Sequence, residues 1–277
     1  SSLDRFPRIF YLEQPPIGAE GRDSVVVSSS ARLHPLYPVS ALNRPLMNPR
    51  LMPALSGTAG RAPFPGRPSP PLMRLLALSS GGKDSCYAIW WALLRGWDVS
   101  GIITVRVTGE DSMTFQLPTV GIARLQAGAG GIPWHEVEVE GDEATEMEEL
   151  EAGIRNISGD DYVDGIVCGA LRSDYQRTRV ERMCERLGLR SFTPLWHHRA
   201  DQHMQEVVDH GFDVALTSVS ADGLGREWLG TRLDLSTLDR LRTLSAAHRF
   251  NIDGEGGEFE TAVLGAPWLD GRIEMDA

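Results

Sequence analysis

The residues best suited to chemistry form one short run, Ser79-Ser80-Gly81-Gly82-Lys83-Asp84-Ser85, directly after the apolar stretch Leu75-Leu76-Ala77-Leu78. A strand that enters a glycine-rich turn and then a helix aims backbone N–H groups and a helix N-terminus at an anion. Gly81 and Gly82 let the backbone approach a phosphate closely. Ser80 and Ser85 supply hydroxyl donors, Lys83 a mobile cation, and Asp84 a carboxylate that can hold Mg²⁺ directly or through water. Lys83 is the only lysine among 27 basic residues, the rest being arginine. Its retention is consistent with a place where a compact ammonium is needed and a planar guanidinium would not serve. The run is not a Walker A loop, because no glycine stands five residues before Gly82 and Asp84 follows the lysine. A GTPase-like or kinase-like P-loop is therefore excluded, and a plain strand-to-helix turn is the bland alternative.

A second group lies near the other end of the sequence, at Gly254-Glu255-Gly256-Gly257-Glu258-Phe259-Glu260-Thr261. Three carboxylates crowd a glycine-rich turn that enters an extended stretch. If 258–260 is extended, Glu258 and Glu260 share one face and Phe259 takes the other. Such a cluster can bind a cation, hold ammonium and take its proton, or ligate Mg²⁺; a solvated acidic hairpin is the plainer reading. Tyr175-Gln176-Arg177 opens a helix at the carboxyl edge of the expected sheet, where α/β ligands bind. Arg177 and Arg179 are placed either to contact phosphate or to pair with Glu181 and Glu185 along the helix. The seven histidines show no metal-ligand spacing, and the adjacent His197-His198 reads as a surface pair. Cys86, Cys168 and Cys184 lack a C-x-x-C arrangement and read as small core residues.

These groups need a scaffold. From Met73 onward, short apolar runs alternate with amphipathic stretches, which predicts βαβ units and a doubly wound parallel α/β sheet. Strands are expected at 75–78, 99–105, 134–139, 165–168 and 190–193, and helices near 84–95, 122–129, 143–157 and 175–187. Gly96 and Gly188 stand where glycines end helices. Beyond Trp196 a weaker pattern predicts a second, smaller α/β lobe over 197–277: a helix near 201–210, a strand at 213–219 and a helix after Ser236, capped by Ser236 with Asp239. The domain that carries the phosphate loop would then be 73–196. Residues 1–72 are spaced by prolines and read as a disordered extension or an upstream mistranslation, with Met73 as a natural start.

Composition narrows the classes further. The formal charge of −11 splits into +4 over residues 1–72 and −15 over 73–277, a balance that opposes direct nucleic-acid binding. The apolar run 87–94 is far too short to cross a bilayer, and the N-terminus has no secretory h-region, so no membrane association and a cytoplasmic location are expected.

The 80–85 loop resembles the PP-loop of the ATP-pyrophosphatase superfamily, and across Met73 to Pro267 the chain resembles its diphthine–ammonia ligase branch. The segments that carry this are Ser80 to Ser85, Gly169-Ala170, Ser173 to Glu181, Pro194-Leu195-Trp196, Trp228-Leu229-Gly230 and, most specific to the branch, Gly254 to Thr261. The resemblance implies an AMP-forming acid–ammonia ligase that uses ATP and ammonium to convert diphthine, a modified histidine on translation elongation factor 2, into diphthamide through an acyl-adenylate. It further implies an ATP site of Ser80, Gly81, Gly82, Lys83, Asp84, Ser85, Gly169 and Ala170, with Lys83, Asp84, Glu255 and Glu258 catalytic and Asp84 on Mg²⁺. Substrate contacts are expected from Ser173, Tyr175, Gln176, Arg177, Arg179, Trp196, Trp228, Gly256, Gly257, Glu260 and Thr261. Diphthine carries a fixed trimethylammonium, for which Trp196 and Trp228 are candidate cation–π walls. Between Glu110 and Gly121 the resemblance is loose.

Three alternatives are weighed. A tRNA-thiolating relative needs paired cysteines, which are absent, and a glutamine-dependent synthetase needs a glutaminase domain for which there is no room. A nucleotide sensor without turnover would release no AMP.

Overall fold

The computed structural model describes residues 23–24, 33–34, 72–108, 120–142, 145–159 and 162–275. Most of the 1–72 extension therefore lies outside the described residues, as does most of the loosely matching stretch between Glu110 and Gly121.

Five parallel strands form the main sheet: β3 (Arg74–Leu78), β4 (Asp98–Val107), β5 (Trp134–Val139), β6 (Gly165–Val167) and β7 (Arg190–Phe192), in the order β5-β4-β3-β6-β7. Leu75 to Leu78 and Ile102 to Val105 are buried on successive residues, not alternate ones, because helices cover both faces of a parallel sheet. Those helices are α1 (Lys83–Leu94), α2 (Val120–Gly130), α3 (Glu146–Ser158) and α4 (Asp174–Leu187). Each expected strand and helix of this part is present within a few residues. Gly188 caps α4 in the left-handed conformation, and Gly96, just past the C-cap of α1, is also left-handed, each with φ of 70°.

The remainder contains α5 (Ala200–Asp209), β8 (Asp213–Val219), a 3₁₀ turn at Arg226–Trp228, α6 (Leu235–His248), β9 (Phe259–Gly265) and β10 (Arg272–Ile273). β8 and β9 pair antiparallel, and the two-residue strands β1 (Asp23–Ser24) and β2 (Leu33–His34) add to β8 and β10 respectively. The α6 cap differs from the expectation. Asp234 accepts a hydrogen bond from the Thr237 N–H at 2.7 Å, and Ser236 lies inside the first turn. A carboxylate is as good an N-cap as a hydroxyl, and Asp234 is the residue with extended backbone.

One apolar cluster joins the two parts, combining Cys86 and Tyr87 of α1 and Leu171 with Met204, Val207, Val214, Leu216, Trp228, Leu238 and Phe259. The second part thus packs directly on the helix that follows β3. β3 is flanked by β4 on one side and β6 on the other, so the sheet's switch point, where α/β folds bind ligands, falls at the carboxyl end of β3. Among the described residues no helix is long and apolar enough to cross a membrane.

Candidate functional site

The loop after β3 is built by its own side chains. Ser79 Oγ accepts from the Gly81 N–H at 3.1 Å and lies 3.0 Å from Ser85 Oγ, and Ser85 Oγ bonds the Gly82 carbonyl at 3.1 Å. Gly81 has φ of +84°, and a Cβ there would meet Ile122 at 2.4 Å, so both conformation and space demand glycine. Gly82 is the N-cap of α1 and offers no side chain to its first turn. A helix start without a side-chain cap leaves orphan N–H groups for an anion.

β9 is stitched to this loop. Thr261 Oγ1 accepts from the Lys83 N–H at 3.2 Å, and the Val263 N–H donates to the Gly81 carbonyl at 3.0 Å. The buried Gln126 side chain donates to both the Gly81 and Val263 carbonyls, at 2.9 and 2.7 Å. The loop after β6 approaches as closely on the other side: a Cβ on Gly169 would sit 2.5 Å from the Asp84 carbonyl carbon. Gly169 is thus needed for the packing of backbone on backbone.

The resulting pocket, about 280 Å³, has a polar floor of Ser80, Gly82, Lys83, Asp84 and Ser85 and an apolar side of Leu78, Ile103, Val105, Cys168, Ala170 and Val180. Glu255, Glu260 and Thr261 close it from the second part, with Ser173 and Gln176 at the start of α4. Lys83 is only 4% exposed; its Nζ bonds Asp84 Oδ2 at 2.9 Å and lies 5.7 Å from the Phe259 ring centre. His203 Nε2 takes the other Asp84 oxygen, Oδ1, at 2.7 Å. Burial alone would raise the Asp84 carboxyl, but the Lys83 ammonium and His203 outweigh it and hold the group below its ordinary range.

Glu255 behaves in the opposite way. Its Oε1 accepts from the Arg172 and Ser173 N–H groups at 3.1 and 3.2 Å, which pins the side chain at the entry to α4. Burial pushes this carboxyl above the usual range despite the Arg172 N–H, and the Asp84 charge adds to the rise. Behind it the Arg172 guanidinium grips Asp253, itself 0% exposed, at 2.5 and 2.7 Å. Cys168 is buried beside the pocket, its thiol pushed up to about 11, and so it serves as apolar lining.

Several expected site residues stand elsewhere. Glu258 is not catalytic in position: its two oxygens accept from the Asn251 and Gly256 N–H groups at 2.9 and 2.7 Å and so close the turn through Gly256 and Gly257. β9 begins only at Phe259, so Glu258 and Glu260 do not form one extended face, and Phe259 borders the pocket while anchoring the core. Trp228 is 1% exposed inside the joint core with the Arg240 guanidinium over it, and cannot wall a substrate cage. Arg177 pairs with Glu181 and stacks on Trp196 at 4.5 Å; Arg179 pairs with the buried Glu146 at 3.1 Å and with the Tyr175 hydroxyl at 3.0 Å. Tyr175, Arg177, Arg179 and Trp196 therefore lie outside the pocket lining. Sequence reasoning missed His203, Arg172 and Gln126. The first two are brought in by tertiary contacts that no spacing announces, and Gln126 stands on a helix whose pattern marks only apolar packing.

The chain matches two family models, the N-terminal domain of diphthamide synthase over residues 73–191 and its C-terminal domain over 199–277. It is 32% identical over 223 residues to the diphthine–ammonia ligase of Danio rerio, covering 74% of this chain and 87% of that protein. The Homo sapiens enzyme of the same name is 31% identical over 224 residues, with 74% and 84% covered. That of Schizosaccharomyces pombe is 33% identical over 219 residues, but the match spans 36% of its length. Among solved structures, a Methanocaldococcus jannaschii chain described as a tRNA methyltransferase subunit aligns at 16% identity over 70% of this chain and 98% of its own, with a TM-score of 0.37, a level from which nothing is argued. With two family models in tandem and relatives above 30% identity over most of their length, the chain belongs to the diphthine–ammonia ligase family.

Proposed function

We propose that the protein is an ATP-dependent, AMP-forming ligase that amidates diphthine on translation elongation factor 2 with ammonium, giving diphthamide. The observation that carries this reading is that the phosphate loop and the acidic turn, at opposite ends of the 73–277 sequence, line one pocket. ATP suits it: the first turn of α1 beyond the Lys83 N–H, which Thr261 holds, with the Gly82 backbone and the Ser80 and Ser85 hydroxyls takes the phosphates, and the apolar side takes the base. The diphthine carboxylate oxygen attacks the α-phosphorus, the bond to the β-phosphate breaks and pyrophosphate leaves. Lys83 balances the charge that builds on the departing phosphates. Ammonia then attacks the acyl carbon and AMP leaves.

Of the carboxylates in the acidic segment, Glu255 is the one suited to take the proton from ammonium. Its Oε1 is pinned by two N–H groups, it borders the pocket, and burial raises its proton affinity above that of a free carboxylate, which favours a base. Glu260, Thr261, Ser173 and Gln176 are placed to contact the diphthine side chain.

Mg²⁺ fits as a phosphate-bound ion. Among the described residues no group of three His, Cys, Asp or Glu is placed to cage a metal, and each Asp84 oxygen, although bonded once, keeps a lone pair. Asp84 would hold it through few protein bonds, as Mg²⁺ tolerates, and the ion would neutralise phosphate charge. The protein substrate sets the location as the cytoplasm. The strong negative charge of 73–277 leaves no role for nucleic-acid binding.

The test is to incubate the protein with ATP, Mg²⁺, ammonium and diphthine-bearing elongation factor 2, then measure AMP and the mass of the modified peptide. AMP together with acid-to-amide conversion, about 1 Da lighter, is the expected result. AMP without a change in peptide mass would mean a different carboxylate substrate, and no AMP would defeat the enzyme reading.

A further inference from the structure

His203 belongs to α5, in the second part of the chain, yet among the described residues the one hydrogen-bond partner of its ring is Asp84 of the phosphate loop, at 2.7 Å. The residue is 0% exposed, flanked by the Tyr87 ring at 5.2 Å and the His198 ring at 6.0 Å. Its second nitrogen, Nδ1, is buried without a hydrogen-bond partner among the described residues. Leaving a buried polar atom unpaired is costly, so packing does not explain an imidazole where a methionine or leucine would fill the space. A bare Nδ1 is tolerable as a lone pair and much less so as an N–H, which assigns the ring proton to Nε2 and makes the ring a donor to Asp84 Oδ1.

Asp84 is thereby held at both oxygens, by His203 on one and by Lys83 Nζ on the other. Among the described residues Lys83 Nζ bonds no side chain other than Asp84, so the direction of its ammonium depends on where Asp84 points. Of the neighbouring rings, His198 likewise buries an Nδ1 that has no hydrogen-bond partner among the described residues, whereas the Tyr87 hydroxyl is engaged. Tyr87 donates to Glu206 at 3.0 Å and also approaches His210 Nδ1 at 3.3 Å.

We propose that His203 is a positioning residue: its Nε2–H fixes the Asp84 carboxylate, and through it Lys83, so that the packing of α5 sets the phosphate site of the ligase proposed above. The chain of contacts runs from the second part, through one hydrogen bond, to the cation that meets the phosphates. The arrangement is the same in kind as the outer partners that orient metal ligands, where loss of the partner costs about 10- to 100-fold.

The test is ATP binding by calorimetry on the full chain, in wild type and in His203→Gln, His203→Asn and Asp84→Asn, alone and combined. Glutamine carries its amide nitrogen at about the reach of Nε2, whereas asparagine stops near Nδ1. Both are polar and comparable in their demands on folding, so the comparison does not depend on stability. Expected are roughly 10-fold weaker ATP binding in His203→Asn, recovery of most of that loss in His203→Gln, and no further loss when His203→Asn is added to Asp84→Asn. Equal loss in the Gln and Asn variants, or additive loss with Asp84→Asn, would overturn the proposal, as would wild-type affinity in His203→Asn. A wild-type protein that binds no ATP would instead defeat the nucleotide-site reading on which the proposal rests.

Discussion

The phosphate loop and the acidic turn meet in one pocket but are built on different principles. Within 79–85, side chains and backbone bond to one another, Ser79 to Gly81 and Ser85, Ser85 to Gly82, Lys83 to Asp84, and β9, Gln126 and His203 bond to the loop so formed. Within 253–261 the carboxylates scatter. Asp253 goes to Arg172, Glu255 to the backbone before α4, and Glu258 to its own turn, leaving Glu260 at the pocket. The comparison teaches that a local motif carries its function in its spacing. A cluster of like charges does not, because each member is assigned by the surface that packs against it.

The difference can be broken at its anchors. Arg172→Met leaves Asp253 buried without its counter-charge, and the expected cost is on the order of 3 kcal/mol in a denaturant melt; a loss below about 1 kcal/mol would mean that the turn does not depend on this pair. Glu255→Gln should slow amide formation by about 100-fold with the fold intact, since the base is lost. Glu258→Gln should instead cost about 1 kcal/mol of stability and less than about 10-fold in rate. If steady-state kinetics reverse that order, the roles of the two carboxylates have been exchanged.

The smallest effects are in pH dependence, and they have opposite signs in the two regions. Asp84, held low, contributes stability that is present above the ordinary Asp value of 3.8 and is lost as pH falls through its lowered folded value. Glu255, held high, opposes folding once pH rises past the ordinary Glu value of 4.5 towards its raised one. Melts from acid to neutral pH should therefore show Asp84→Asn losing ground to wild type as pH rises, and Glu255→Gln gaining. The same sign in both would contradict the electrostatics of the site.

How much was legible follows from the same contrast. The parallel sheet and its four helices follow from periodicity, and the 80–85 loop from residue types at fixed spacing, both being local signals. The Trp228 cage failed because a tryptophan near a branch motif has the same letter whether it lines a cavity or fills a core, and here it is 1% exposed. His203 was invisible for the converse reason. On α5 it occupies the apolar face beside Met204 and Val207, where nothing in the sequence tells that Asp84 lies opposite. Arg172 likewise meets Asp253 only through the packing of the second part on the first.

The central claim, that this pocket activates a carboxylate by adenylation, is tested most directly by following oxygen. Diphthine-bearing elongation factor labelled with ¹⁸O in the diphthine carboxylate is turned over with ATP and ammonium, and the AMP is weighed. The account predicts that AMP gains one ¹⁸O, about 2 Da, because the bridging oxygen of an acyl-adenylate leaves with AMP when ammonia attacks the carbon. AMP of natural mass, formed alongside the amide, would contradict it.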